Sequence, residues 1–188
     1  MPRAQWDAYD AGPGGSPLLA REDLAAVGGL PDPAAHTEAE LATVLRLVSQ
    51  VAPRTGTVAV GHSRDAASRT AADAFRTAWQ EAGGEVVTVV DWPEEAASWL
   101  RPAQRLTADH PDAWVIAAAP LGWVQLSRRL RRSTDWDPGR TVGFAALADS
   151  RVPALAGPGT LAGLSGGAPD GGAWRVRLDC VTHFPATD

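Results

Sequence analysis

The sequence has no lysine and no asparagine, and a single cysteine, Cys180. One cysteine excludes an internal disulfide framework and a cysteine-rich zinc site. A free cysteine in a globular chain is most often a small buried hydrophobe, and Cys180 is expected to be one. Without asparagine there is no acceptor for N-glycosylation. All 17 basic residues are arginine, which reads as the coding bias of a GC-rich genome. No stretch approaches the roughly 18 apolar residues of a membrane span. Residues 1–15 lack the apolar core of a secretory leader. This predicts a cytoplasmic protein, or an extracytoplasmic one if a leader precedes the sequence given. The net charge of −5 argues against a nucleic-acid partner, which needs many phosphate-neutralising cations. The four histidines, His36, His62, His110 and His183, form no pair at ligand spacing, so no metal is expected. The glycine-rich stretch 157–172 lacks the Gly-Lys-Ser/Thr of a phosphate loop, and no cofactor is expected.

What remains is an ordinary globular composition, 45% hydrophobic and 21% charged over 188 residues, the size of one domain. Residues 1–17 are rich in glycine and proline without periodicity and read as a flexible arm; 18–188 read as a single domain. Thr37 caps a helix, with Glu40 as its capping-box partner. Leu41, Val44, Leu45 and Val48 then form an apolar stripe at helical spacing. A strand–helix alternation follows. Strands are expected at 57–60, 85–90, 113–118 and 141–147, with a possible short one at 160–164. A last strand carries Trp174, Val176 and Leu178 on one face, with Cys180 and Phe184 on the same side. Helices are expected at 65–82, ended by Gly83-Gly84, from Asp91-Trp92-Pro93 onward with a kink at Pro102, at 120–132 and briefly at 149–155. Such alternation predicts a three-layer α/β/α, Rossmann-like domain on a mostly parallel sheet of about five or six strands. Ligands of such sheets bind beyond the carboxyl ends of the strands.

Four loops lie at that edge: 61–65, 91–93, 119–122 and 148–151. The first, Gly61-His62-Ser63-Arg64-Asp65, comes near the Gly-x-Ser-x-Gly elbow of α/β-hydrolases. Asp149 and His183 follow in the Ser, Asp, His order of that fold. Against this reading, Asp65 stands where the turn wants almost no side chain, and no upstream segment supplies the second oxyanion donor. Otherwise Ser63 is a turn residue, Asp149 a helix cap and His183 a strand residue.

A longer resemblance favours a binding cleft. TVAVGHSRDAASRTAADAFRTAWQEAGGEVV and HPDAWVIAAAPLGWVQLSRRLRRSTDWDPGRTVGFAALADSRVPALAGPG resemble the second lobe of the type I periplasmic-binding fold. Branched-chain amino acid binding proteins and LacI/GalR-type sensor domains share that fold. The resemblance implies a non-catalytic module that binds a small-molecule ligand. By position it places ligand contacts at His62, Ser63 and Arg64, at Pro120, Leu121 and Trp123, and at Asp149, Ser150 and Arg151. Ala66-Ala67 stands where branched-chain binding proteins often carry Tyr-Gly. Residues 1–55 are too few for a second sheet, so the missing lobe would come from another copy, in a homodimer, or from a protein partner. A third reading is a scaffold or regulatory partner of another enzyme.

Eight tryptophans accompany three phenylalanines and one tyrosine. Trp79, Trp114 and Trp174 fall at core positions. Trp92, Trp99, Trp123 and Trp136 fall near helix ends and loops, as packing residues or as rings lining a cleft. Arg128, Arg129, Arg131 and Arg132 crowd one helix C-terminus, where cations complement the dipole or meet an anionic partner.

Overall fold

The computed structural model describes residues 19, 22, 29–52 and 56–186. The arm expected over 1–17 lies outside them. One sheet of seven strands runs in the order β2-β1-β3-β4-β5-β6-β7. The strands are β1 (Thr57–Ser63), β2 (Glu85–Trp92), β3 (Ala113–Ala117), β4 (Thr141–Gly143), β5 (Ser165–Gly167), β6 (Ala173–Arg177) and β7 (Cys180–Phe184). The first five are mutually parallel; β6 and β7 add as an antiparallel ribbon beside β5. The fold is therefore α/β and mostly parallel, with more strands than the alternation suggested, because the chain end folds back as a hairpin. Among the described residues five complete helices flank the sheet: α1 (Glu38–Val51), α2 (Ala66–Glu81), α3 (Leu100–Thr107), α4 (Pro120–Ser133) and α5 (Arg151–Ala156).

Strand periodicity builds the three layers. Along β1, Val58 and Val60 face one core and Ala59 the other. Along β3, Ala113, Val115 and Ala117 join the first core, while Trp114 and Ile116 join the second. Side chains of a strand alternate in this way, so a fully buried strand is apolar on both faces. Helix α1 contributes Val44, Leu47 and Val48 to the first core, and α2 contributes Ala71, Ala72, Phe75 and Trp79. Helices α3, α4 and α5 close the second core with Leu106, Trp123, Leu126, Leu130 and Leu155. At the end of α2, Gly83 adopts a left-handed φ of 89° and the Gly84 N–H donates to Trp79 O at 2.9 Å. That is the six-to-one bond of a glycine-terminated helix.

Several boundaries differ from expectation. Asp91 and Trp92 end β2 rather than open a helix; 93–99 is irregular and α3 begins at Leu100. Pro102 then sits in the first turn of α3, where the missing N–H has no partner to lose, and no kink is needed. The fourth strand stops at Gly143, because Phe144 leads into a 3-10 turn, Ala145–Ala148. Residues 160–164 form turns, and the short strand lies just beyond, at Ser165–Gly167. The last strand is two: Leu178 and Asp179, with φ of 49° and 60°, make a tight turn between β6 and β7. Cys180 starts the outer strand and is exposed. Its single partner strand leaves one side open, which is why the expected burial fails. Trp92, Trp99, Trp123 and Trp136 are core residues, none more than 2% exposed.

Candidate functional site

The carboxyl ends of β3 and β4, with the start of α2, open onto a groove of about 360 Å³. One wall is the segment from Pro31 to His36, together with Glu40 of α1. The first turns of α2 supply Ala67, Ser68 and Ala71, and the floor is Ala117 and Ala118. Phe144, the 3-10 turn behind it and Asp149 form the far wall. The space exists because the floor and the α2 wall are alanine: methyl groups stop short where larger side chains would meet.

The wall 31–36 is held at both ends. Arg151 Nη1 donates to Gly29 O at 2.8 Å, and Thr37 Oγ1 donates to Pro169 O at 2.7 Å. Between them the His36 ring meets Phe144 edge-on, with centroids 6.0 Å apart.

Glu40 is the buried carboxylate of this site, 3% exposed. Its backbone N–H donates to Thr37 Oγ1 at 3.0 Å, and its Oε1 accepts the Ala145 N–H at 2.6 Å. Burial pushes its carboxyl above the usual glutamate range; the N–H groups of Ala145 and Thr37 and nearby His36 pull back only in part. Glu94, in the irregular 93–99 stretch, behaves similarly. Burial raises it, aided by Asp65 and Asp32, against the Gly122 N–H, which donates to its Oε2 at 2.7 Å, and the Ser63 hydroxyl. Asp149 goes the other way, held below its usual range chiefly by Arg151, whose Nε and Nη2 donate to its two oxygens at 2.8 and 2.6 Å. Two polar atoms of the groove-lining residues are buried without a hydrogen-bond partner: Ser68 Oγ and His36 Nδ1.

Of the nine positions expected to touch ligand, one lines this groove. Asp149 lines the groove; Arg151 is bound to it, and Ser150 is exposed beside them. His62 turns its Nδ1 to Ser63 O at 2.8 Å. Arg64 points outward and pairs with Asp91. Pro120 is buried as the first residue of α4, and Leu121 is half-buried after it. Trp123 is fully buried against Trp136, ring centroids 5.7 Å apart at 81°.

Ser63 is no nucleophile's seat. It is 0% exposed, and its hydroxyl accepts the Ala119 N–H at 2.6 Å, tying β1 to the start of α4. His183 is on β7, five strand spacings from β1, which is roughly 24 Å across the sheet. The Ser63, Asp149, His183 constellation does not assemble.

Sequence reasoning missed His36, Glu40, Ser68 and Phe144. Glu40 left a signal: with Val44, Leu47 and Val48 it falls on the buried stripe of α1, a carboxylate on an apolar face. Among the described residues no group of His, Cys, Asp and Glu is placed to hold a metal ion. No described helix is long and apolar enough to cross a membrane.

Comparison with solved structures supports the fold. A protein of Rhodospirillum rubrum described as a branched-chain amino acid ABC transporter aligns with a TM-score of 0.57 at 22% identity, covering 69% of this chain and 36% of its own. An extracellular ligand-binding receptor of Rhodopseudomonas palustris HaA2 aligns with a TM-score of 0.58 at 19% identity, covering 70% and 36%. A second protein described as a branched-chain amino acid ABC transporter, from Silicibacter pomeroyi, gives 0.56 at 16% identity, covering 68% and 33%. The chain thus spans about a third of the length of each. No curated protein matches it. The family model described as periplasmic binding protein matches residues 32–175, from the groove wall through the five helices and into β6, and the chain belongs to that family.

Proposed function

We propose that this chain is a non-catalytic ligand-binding module whose carboxyl-edge groove holds a small molecule on one side, the open side being covered by a second lobe. The observation that carries the reading is a groove of about 360 Å³ at the edge where α/β sheets bind ligands, walled by residues with orphaned polar atoms. Family membership supports it, and so does the dispersal of the would-be triad. The cover is a separate lobe or a second copy of this chain.

The test is a small-molecule fragment screen on isotope-labelled protein, read by amide shifts. Hits are expected to move Ala71, Ala118 and Phe144 together. Hits that cluster elsewhere, or none at all from a folded sample, defeat the reading. Among the described residues no tryptophan lines the groove, so amide shifts are a more direct reporter than indole fluorescence. Sedimentation of the chain alone and with ligand separates the two covers: a ligand-dependent dimer means a second copy.

A further inference from the structure

The end of β2 opens onto a second cleft, of about 310 Å³, which shares no lining residue with the groove. It is a surface cleft beside Asp91 and Trp92, against the first turns of α3. Three arginines line it, Arg64, Arg101 and Arg105, with one carboxylate, Asp91. Arg64 is already paired with Asp91. Glu94, just along the chain, is engaged with the Gly122 N–H. Among the described residues Arg101 and Arg105 have no carboxylate partner. Arg105 uses one of its five N–H donors in a long bond, 3.5 Å from Nη2 to Val89 O. In a chain of net charge −5 the cleft therefore gathers two uncompensated cations.

The start of α3 lacks the groups that would stabilise it. The first N–H groups of a helix need acceptors, and its positive end favours carboxylates over cations. Helix α3 has no acidic residue in its first turn and no side-chain cap from Trp99; Arg101 stands there instead. Ser98 Oγ accepts the Leu100 N–H only at 3.4 Å. Trp99 also lines the cleft, is 1% exposed, and its indole N–H has no acceptor. Indole and guanidinium groups donate and never accept, so the groups collected here select an acceptor of negative charge.

Spacing narrows the class. Arg101 and Arg105 are one turn apart on α3, which puts their Cβ atoms about 5–6 Å apart on one face. Two guanidinium forks so placed suit one compact anion better than charges strung along a peptide. A phosphoryl group holds about −1.5 to −2 of charge on three oxygens, which matches two cations. Half-buried Pro93, Ala96 and Pro102 offer a short organic body an apolar flank.

We propose that the cleft between the end of β2 and the start of α3 is an anion site that takes a phosphoryl group, as inorganic phosphate or as a small phosphomonoester. It is separate from the groove, and the ligand would sit on the surface, outside the indole layer.

The test uses the isotope-labelled full chain in phosphate-free buffer at physiological salt. Inorganic phosphate, phenyl phosphate and benzoate are each titrated and followed by amide shifts. Phosphate and phenyl phosphate are expected to give saturable shifts at Ala96, Ser98 and Arg101, with benzoate at least tenfold weaker. Phenyl phosphate tighter than phosphate by threefold or more identifies a phosphomonoester site; equal affinities identify a site for the free anion. The double variant Arg101→Gln/Arg105→Gln, changed at two exposed positions, is expected to lose at least tenfold in affinity with native circular dichroism. Arg131→Gln/Arg177→Gln removes the same charge from exposed positions elsewhere and is expected to leave binding within twofold. Shifts that never saturate, benzoate binding as tightly as the phosphates, or an equal loss in the two double variants each overturn the proposal. Groove resonances at Ala71, Ala118 and Phe144 stay still throughout, so the groove reading and the anion site fail separately.

Discussion

The two faces of the sheet are filled by different means. One core holds six tryptophans, Trp92, Trp99, Trp114, Trp123, Trp136 and Trp174. The other holds one, Trp79, among valines and alanines. Where indoles fill the layer, space closes: glycine is required so that rings can lie flat. A Cβ at Gly61 would come within 2.7 Å of the Trp92 ring, and one at Gly166 would collide with Gly143 O and Trp174. Where alanines fill the layer, its end stays open, and that end is the groove. Ala71, Ala117 and Phe144 belong both to this core and to the groove lining. Side-chain volume, on one shared sheet, decides which face can receive a ligand.

The largest effect that would break this comparison is expected on the closed face. Trp123→Ala should cost about 3–5 kcal/mol of stability by denaturant unfolding. A loss below 1 kcal/mol would mean the indole layer is not tightly packed. Ser63→Ala, at the junction of the faces, leaves the buried Ala119 N–H without its acceptor and should cost roughly 1–3 kcal/mol. The same variant should match wild type in showing no labelling by a fluorophosphonate probe. Labelling that vanished with Ser63 would restore the nucleophile.

The open face has a pH signature. The Glu40 carboxyl titrates above its unfolded value of 4.5, raised first by burial. The folded state therefore keeps a proton that the unfolded state gives up. The stability this adds is full below 4.5 and is lost as pH rises through the folded value. Glu40→Gln has no such loss. The variant-minus-wild-type difference in Tm should grow as pH rises from 4.5 to 7. A pH-independent difference would mean Glu40 is solvated as an ordinary surface carboxylate. The smallest effect is the sharpest contrast: Ala71→Leu adds volume to a buried helix position, yet the groove should absorb it for less than about 1 kcal/mol, below the usual cost of overpacking. A larger loss would show the groove to be too tight for a ligand of that size.

The architecture was legible because period-two burial along β1 and β3 and the helical stripes of α1 and α2 are local patterns. The double glycine after α2 marked its end for the same reason. The β6–β7 hairpin was not legible. Trp174 through Phe184 keeps an alternating pattern across Leu178 and Asp179, and positive φ at two non-glycine residues leaves no mark in composition. Of the nine residues the family resemblance nominated, Asp149 lines the groove. The others point into the core, into the sheet or outward, because a loop's position says little about which way each side chain turns. Glu40 and His36 were hidden for another reason. They precede β1 in the chain and reach the site only because α1 packs under β4 and β5.

Among the described residues strand β2 has one neighbour, β1, and its other side presents a ladder of largely apolar, β-favouring sequence, EVVTVV. Such an edge invites another copy to add on, the first step of aggregation. Val87 answers that: Val58 pairs with Val86 and Ala59 with Thr88, so one extra residue bulges β2 out of the even register that a second copy would need.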